Sequence, residues 1–393
     1  MKYDFDQLLD RRNTNSLKWN VQENELPMWV ADMDFQTAPC VQKAIQDIAN
    51  FGIFGYSDIP DQYFTGFQTW WDTQHHFHME KDWMIFSSGV VPAISSIIRK
   101  LTTPAEKVLI QSPVYNIFYN SILNNGRLMI SSDLKYENGK YEIDFEDLEN
   151  KLQDSQTTMM IVCNPHNPIG KIWTKDELAK IGALCDKYHV TVISDEIHCD
   201  LTQPGKTYTP FASVNKQCEQ NSITCISSSK AFNLAGLQSA CVVVPNEKLR
   251  HKVWRGLNTD EVAEPNIFAC QASIAAFAYG EDWLEELRTY ISMNKKSAKQ
   301  YIGKNIPQLR VVESEATYLL WIDCSKLHPF VSEFCKFLQE EKQLILSDGI
   351  SFGANGEDFI RMNIACPQKR MLEGLHRLKE GAQEFSERFL SSC

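Results

Sequence analysis

Three short segments carry residues whose types and spacing could do chemistry. In SSSKAFNLAGL (227–237), Lys230 follows an apolar run, with serines before it and small residues after it. A lysine held at the end of a buried strand is desolvated, which lowers its pKa and makes it a nucleophile for a carbonyl carbon. The neighbouring hydroxyls and backbone N–H groups could hold a phosphate. On this motif alone, a surface lysine in a serine-rich turn would look the same. A sharper rival is the S-x-x-K spacing of Ser227 and Lys230, with 347–349 (SDG) as a second motif of a serine acyl-enzyme. No K-T-G follows, and that chemistry is set aside.

In ISDEIHCDL (193–201), Asp195 closes a β-rich run, where a carboxylate faces a ligand rather than water. A buried acid needs a cationic partner, and the protonated ring nitrogen of pyridoxal phosphate is one. An N-cap acid is the plain alternative. His198 and Cys199 suggest zinc, but no second ligand pair stands at zinc spacing. His75, His76 and His78 read as a solvated helix face, so no metal is expected. In VCNPHNPIGKIWT (162–174), two Asn-Pro dipeptides and Gly170 make a rigid turn. An asparagine fixed there, Asn167, can donate to a phenolate oxygen.

The elements that must position these residues follow from the apolar pattern. KVLIQS (107–112), TTMMIVC (157–163), VTVIS (190–194), SITCIS (222–227) and QSACVVV (238–244) read as strands. Helical patterns alternate with them, such as 174–188, which opens on a capping Thr174 and early acids. Such alternation predicts an α/β fold: a mainly parallel central sheet with helices on both faces. From about 246 helices dominate, and then RVVES, TYLLWID and FIRMNIA return to strands between helices at 330–342 and 368–390. A smaller α+β domain is expected there, formed by 286–393 with 1–49, beside a large domain at 50–285.

Composition bounds the function. The chain has 393 residues, long enough for a large core without disulfides or metals. With 39 Lys and Arg against 50 Asp and Glu, its net charge of −11 argues against nucleic acid. No apolar run approaches the roughly 20 residues that span a bilayer, and residues 1–30 lack a signal-peptide core. Twelve cysteines without regular spacing are expected to be reduced thiols in a cytoplasmic protein.

Taken together, NPHNPIG, then DE, then SSSK resemble the fold-type I pyridoxal-phosphate enzymes of the class I/II aminotransferase superfamily. MWVADMDF (28–35), FGYSDIP (54–60) and SKAFNLAGL are similar to its cystathionine β-lyase branch, the MalY/PatB and cystalysin group of carbon–sulfur lyases. The resemblance covers nearly the whole chain. It implies that Lys230 binds the cofactor covalently and shuttles the Cα proton, Asp195 pairs with the pyridinium nitrogen, and Asn167 holds the phenolic oxygen. His198 stands where many relatives have a tyrosine against that oxygen, and Tyr115 would stack on the ring. Backbone groups of Gly89, Val90 and Val91 would face the phosphate, with hydroxyls from Ser227 and Ser229. Tyr56 would reach the phosphate of a neighbouring subunit, implying a homodimer with shared sites. Arg361 would clamp the substrate carboxylate, with Val30 and Ala31 lining the substrate.

Two positions depart from the pattern. Gln238 replaces an arginine that many aminotransferases use for phosphate, and Asn116 replaces a second tyrosine of some lyases. The implied activity is α,β-elimination from L-cystathionine, L-cysteine and related S-substituted cysteines, yielding pyruvate, ammonia and a thiol or hydrogen sulfide. An aminotransferase of the same architecture, or a regulator that also binds a transcription factor, stands as the alternative.

Overall fold

A computed structural model describes residues 2–390. Among them a seven-stranded sheet comprises β1 (Met84–Ser87), β2 (Lys107–Ile110), β3 (Leu128–Ser131), β4 (Thr157–Cys163), β5 (Thr191–Asp195), β6 (Ser222–Ile226) and β7 (Ala240–Val243). Their spatial order is β1-β7-β6-β5-β4-β2-β3. The pairs β6–β5, β5–β4, β4–β2 and β2–β3 are parallel, and β7 runs against both of its neighbours.

The unbroken apolar run of β4 follows from burial on both faces. Successive side chains of a strand point to opposite sides. Met159 and Ile161 share one core with Ile94 and Ile97 of helix Val90–Leu101 and Leu257 of helix Glu247–Thr259. Met160 and Val162 pack on the other side with Leu178 and Ile181 of helix Lys175–Lys187. That helix starts where its sequence says it should. Thr174 Oγ1 accepts the Glu177 N–H at 3.2 Å, and the Glu177 carboxylate accepts the Thr174 N–H at 2.8 Å, a reciprocal cap.

The second unit is an antiparallel sheet of Arg310–Val311, Leu319–Asp323, Phe359–Asn363 and Ser347–Asp348, covered by helices Val331–Lys342 and Gln368–Phe385. The N-terminal segment joins it, because Leu26–Pro27 pairs in parallel with Leu344–Ile345 and the Asn363 N–H donates to the Met28 carbonyl. Helix Pro39–Phe51 instead packs on helix Ala269–Tyr279 of the other unit. The sequence boundary at 285/286 falls inside one helix, Glu281–Asn305. Its first turns (Trp283, Leu287) sit in one core and its last turns (Ala298, Ile302) in the other.

Buried charge fixes the strap at 28–34. Asp34 is 1% exposed and meets Arg11 at 2.8 Å, Lys18 at 3.2 Å and Arg370 at 3.1 Å, with the Trp19 indole donating at 2.8 Å. Burial alone would raise this carboxyl, yet Lys18, Trp19, Arg370 and Arg11 together hold it below its ordinary value.

One sequence expectation is corrected here. His76 and His78 are exposed, but His75 is turned inward, its ring 8% exposed and its Nε2 2.8 Å from Asp200 Oδ1. No alternation in 61–78 separates His75 from its neighbours. Its partner lies 125 residues away. No helix among the described residues is long and apolar enough to cross a membrane.

Candidate active site

Three adjacent parallel strands end at one place. Cys163 of β4 stands opposite Asp195 of β5, which stands opposite Cys225 of β6. The turn after β4 brings Asn167, the end of β5 brings Asp195, and the turn after β6 brings Lys230. Carboxyl ends of parallel strands are where open α/β sheets bind ligands. Together these residues line a cavity of about 240 Å³ with Tyr115, His198 and Ala31.

The same cavity is bordered by a helix start. Helix Val90–Leu101 starts there, and its first backbone N–H groups have no carbonyl one turn earlier. Gly89, Val90, Val91 and Ser229 line the cavity, and such free N–H groups suit an anion. Ser227 does not line the cavity, contrary to expectation. Its hydroxyl donates to the Ser239 carbonyl at 2.6 Å and accepts the Ser229 N–H at 3.0 Å. The buried turn satisfies its own backbone first, and Ser229 is left facing the space. Tyr56 is fully exposed and does not line the cavity.

Electrostatics set the state of each group. Asp195 is pushed up to about 6 by burial, opposed by the Ile197 N–H at 3.1 Å and by Lys230. Lys230 is lowered to about 8 by burial and by Arg361, against the pull of Asp32 and Asp195. Its Nζ donates to the Ala31 carbonyl at 2.8 Å, which the Tyr318 hydroxyl also reaches at 2.8 Å. His198 is lowered to about 3 by burial and by Lys230, Arg361 and Lys295, so its ring is neutral.

Arg361 enters from the small sheet and is buried. Its Nη1 donates to Asn167 Oδ1 at 3.2 Å and its Nη2 to the Trp29 carbonyl at 2.8 Å, while its guanidinium lies 4.6 Å from the centre of the Phe352 ring. With Oδ1 of Asn167 engaged, Nδ2 is the end available to an acceptor. The Val30 carbonyl accepts from Asn363 Nδ2 at 2.6 Å, so Val30 holds the strap in place while Ala31 faces the cavity.

Sequence reasoning missed several contributors. Ser88 and Ser239 line the cavity beside Gln238, the departure already visible in the sequence, which sits at a left-handed φ of 55°. Asn233 pins the strap to the lysine turn through Nδ2 to the Met33 and Phe35 carbonyls, at 3.0 Å each. The signal for Asn233 was present, as the single polar side chain in AFNLAGL.

A parallel sheet with a lysine, an aspartate and an asparagine at the ends of three neighbouring strands defines an enzyme of the fold-type I pyridoxal-phosphate class. Comparison with known proteins agrees. Residues 24–378 match the family described as aminotransferase class I and II. The chain is 37% identical over 381 residues to cystathionine beta-lyase PatB of Bacillus subtilis, covering 95% of this chain and 98% of that one. The crystal structure of cystalysin from Treponema denticola, which contains pyridoxal 5′-phosphate, superposes with a TM-score of 0.95 at 31% identity, over 98% of this chain and 100% of that one. A pyridoxal-phosphate-bound putative aminotransferase from Clostridium difficile 630 has a TM-score of 0.94 at 40% identity, over 97% of this chain and 100% of that one. The chain belongs to the class I and II aminotransferase family, in its carbon–sulfur lyase branch, and its cofactor is pyridoxal 5′-phosphate.

The residues present fit that cofactor. Asp195 is buried with no salt bridge among the described residues, and its carboxylate would pair with a protonated ring nitrogen. His198 Nδ1 is buried without a hydrogen-bond partner among the described residues. The free N–H groups at the start of helix Val90–Leu101, which borders the cavity, would face the phosphate.

Proposed function

We propose that the protein is a carbon–sulfur β-lyase that cleaves L-cystathionine, L-cysteine and related S-substituted cysteines to pyruvate, ammonia and a thiol or hydrogen sulfide. The observation that carries this reading is the convergence of Lys230, Asp195, Asn167 and Arg361 in a chain so similar to a cystathionine beta-lyase along nearly its whole length. Pyridoxal phosphate supplies an electron sink for the charge left at Cα.

The chain's own residues do the rest. Arg361 offers a planar fork to the substrate carboxylate and thereby fixes which bond at Cα faces Lys230. Lys230, freed by the incoming substrate amine, takes the Cα proton, a task suited to a lysine lowered towards neutral pH. Asp195 keeps the ring nitrogen protonated. Asn167 and the neutral His198 hold the phenolic oxygen. The Cβ–S bond then breaks with its electron pair leaving on sulfur, and the proton on Lys230 is available to the departing thiolate. Released 2-aminoacrylate hydrolyses to pyruvate and ammonia, so no oxo acid is consumed.

The site is completed in a homodimer. Phe51, Ile53, Phe54 and Tyr56 stand exposed in one segment, an apolar edge suited to a second copy of the chain. Tyr56 on it extends to the phosphate of the neighbouring site. A cytoplasmic location agrees with eleven free, mostly buried cysteines among the described residues.

Aminotransfer is the second reading, favoured by the likeness to the Clostridium difficile putative aminotransferase. The two separate on turnover: pyruvate released repeatedly from L-cystathionine without an added oxo acid supports elimination. Conversion of the cofactor to its amine form after one event supports aminotransfer and overturns the lyase reading.

A further inference from the structure

We propose that His75, Cys199 and Asp200 form a binding site for a single zinc-class divalent cation, separate from the cofactor cavity. The last turn of helix Asp61–His75 meets the loop after β5 here. One nitrogen, one sulfur and one carboxylate oxygen all lie within 4.8 Å of one another. The sequence offers His198 and Cys199 for zinc but no second ligand pair, and His75, more than 120 residues away, reads there as solvated surface.

The carboxylate is the telling group. Asp200 Oδ1 accepts from the Trp70 indole at 2.8 Å and lies 2.8 Å from His75 Nε2. Its second oxygen, Oδ2, is buried with no hydrogen-bond partner among the described residues, in a side chain only 4% exposed. An unsatisfied buried carboxylate oxygen is expensive unless something cationic fills the space. Trp70 would stay on Oδ1 and orient the carboxylate, as outer partners of metal ligands do.

The space itself is present. A cavity of about 170 Å³ borders all three residues and leaves a fourth position for water. The cationic groups on its rim are already engaged: Lys206 with Glu315 at 2.8 Å, and Arg288 with Thr202 and Glu285. A mixed nitrogen, sulfur and oxygen set suits zinc among the common divalent ions. The Asp200 and Glu196 carboxylates near Cys199 attract a cation.

Binding balances simply. The thiol loses its proton to solvent and the sulfur takes the metal. His75 turns Nε2 from Asp200 Oδ1 to the ion, with its ring proton on Nδ1. A dication with one thiolate, one carboxylate and one neutral imidazole leaves the buried site uncharged, and one proton is released.

The test is Co²⁺ titration of the chelator-treated holoenzyme, followed by visible ligand-field absorption and displacement by Zn²⁺. One Co²⁺ per chain is expected, with the intense bands of a tetrahedral, thiolate-ligated ion. Cys199→Ser and His75→Gln should each weaken Zn²⁺ binding at least about tenfold, with unchanged far-UV circular dichroism and cofactor absorbance. Asp200→Asn also disturbs Trp70, so these two variants decide. Absence of the bands, or bands that persist unchanged in Cys199→Ser, overturns the proposal.

Discussion

Arg361 and Asn167 are joined by a 3.2 Å hydrogen bond that links the small sheet to the turn after β4. The residue proposed to bind the substrate carboxylate therefore also orients the residue proposed to hold the cofactor's phenolic oxygen. Substrate recognition and cofactor orientation are one connected unit.

Arg361→Lys should separate them. A lysine keeps the charge but loses the fork, so kcat/KM should fall about 10- to 100-fold, mostly through KM, as expected for one charge-assisted contact. Steady-state kinetics on an S-substituted cysteine and on its decarboxylated amine check this. The wild type should prefer the carboxylate-bearing substrate strongly and the variant only weakly.

Lys230 sets a pH dependence. Its neutral amine is the reactive form, and burial lowers its pKa to about 8. Covalent uptake of pyridoxal phosphate by the cofactor-free protein should accelerate as pH rises from 6 to 8 and level off above that. Stopped-flow absorbance measures it. A rate still climbing steeply at pH 10 would show an unperturbed lysine.

Asp195 carries a stability penalty in the cofactor-free protein. Its folded pKa of about 6 lies above the roughly 3.9 of an unfolded chain. The unfolded state thus loses its proton first, and stability falls as pH rises from about 4 to 6. Cofactor-free Asp195→Asn should melt with the wild type near pH 4 and above it at pH 7, by at most roughly 3 kcal/mol. Bound to cofactor, the same variant should lose turnover, because the ring nitrogen is no longer held protonated.

Asp34 has the opposite sign. Its pKa is held below the ordinary carboxylate value, so its stabilisation is present above the unfolded pKa and is lost as pH falls through the folded one. Asp34→Ala leaves Arg370 without a carboxylate and Arg11 and Lys18 with Asp32 alone, and should cost about 3 kcal/mol. Denaturant melts at pH 7 test the size. At pH 2 the difference should shrink.

Much of this was legible in the sequence, for identifiable reasons. TTMMIVC runs as a strand over the residues expected, because an apolar run buried on both faces has few alternatives. Thr174 and Glu177 announce their helix by side-chain chemistry. Asn167 and Lys230 follow such strands and Asp195 ends one, so the sheet's order brings them together. Other features carry no local signal. β7 reverses direction with the same apolar composition as its neighbours, and β3 is a short edge strand with partly exposed side chains. Ser347–Asp348, two residues long, is too short for periodicity to register, and of the expected strand RVVES only Arg310–Val311 pairs. The inward turn of His75 and the withdrawal of the Ser227 hydroxyl to Ser239 depend on partners that only the folded chain supplies.

The most direct measurement is the number of pyruvate molecules released per chain from L-cystathionine, with pyridoxal phosphate present and every 2-oxo acid excluded. Elimination predicts pyruvate far in excess of chains, matched one for one by homocysteine thiol, and none from Lys230→Ala. No more than one keto product per chain, with the cofactor left in its amine form, would contradict the account and assign the chain to aminotransfer.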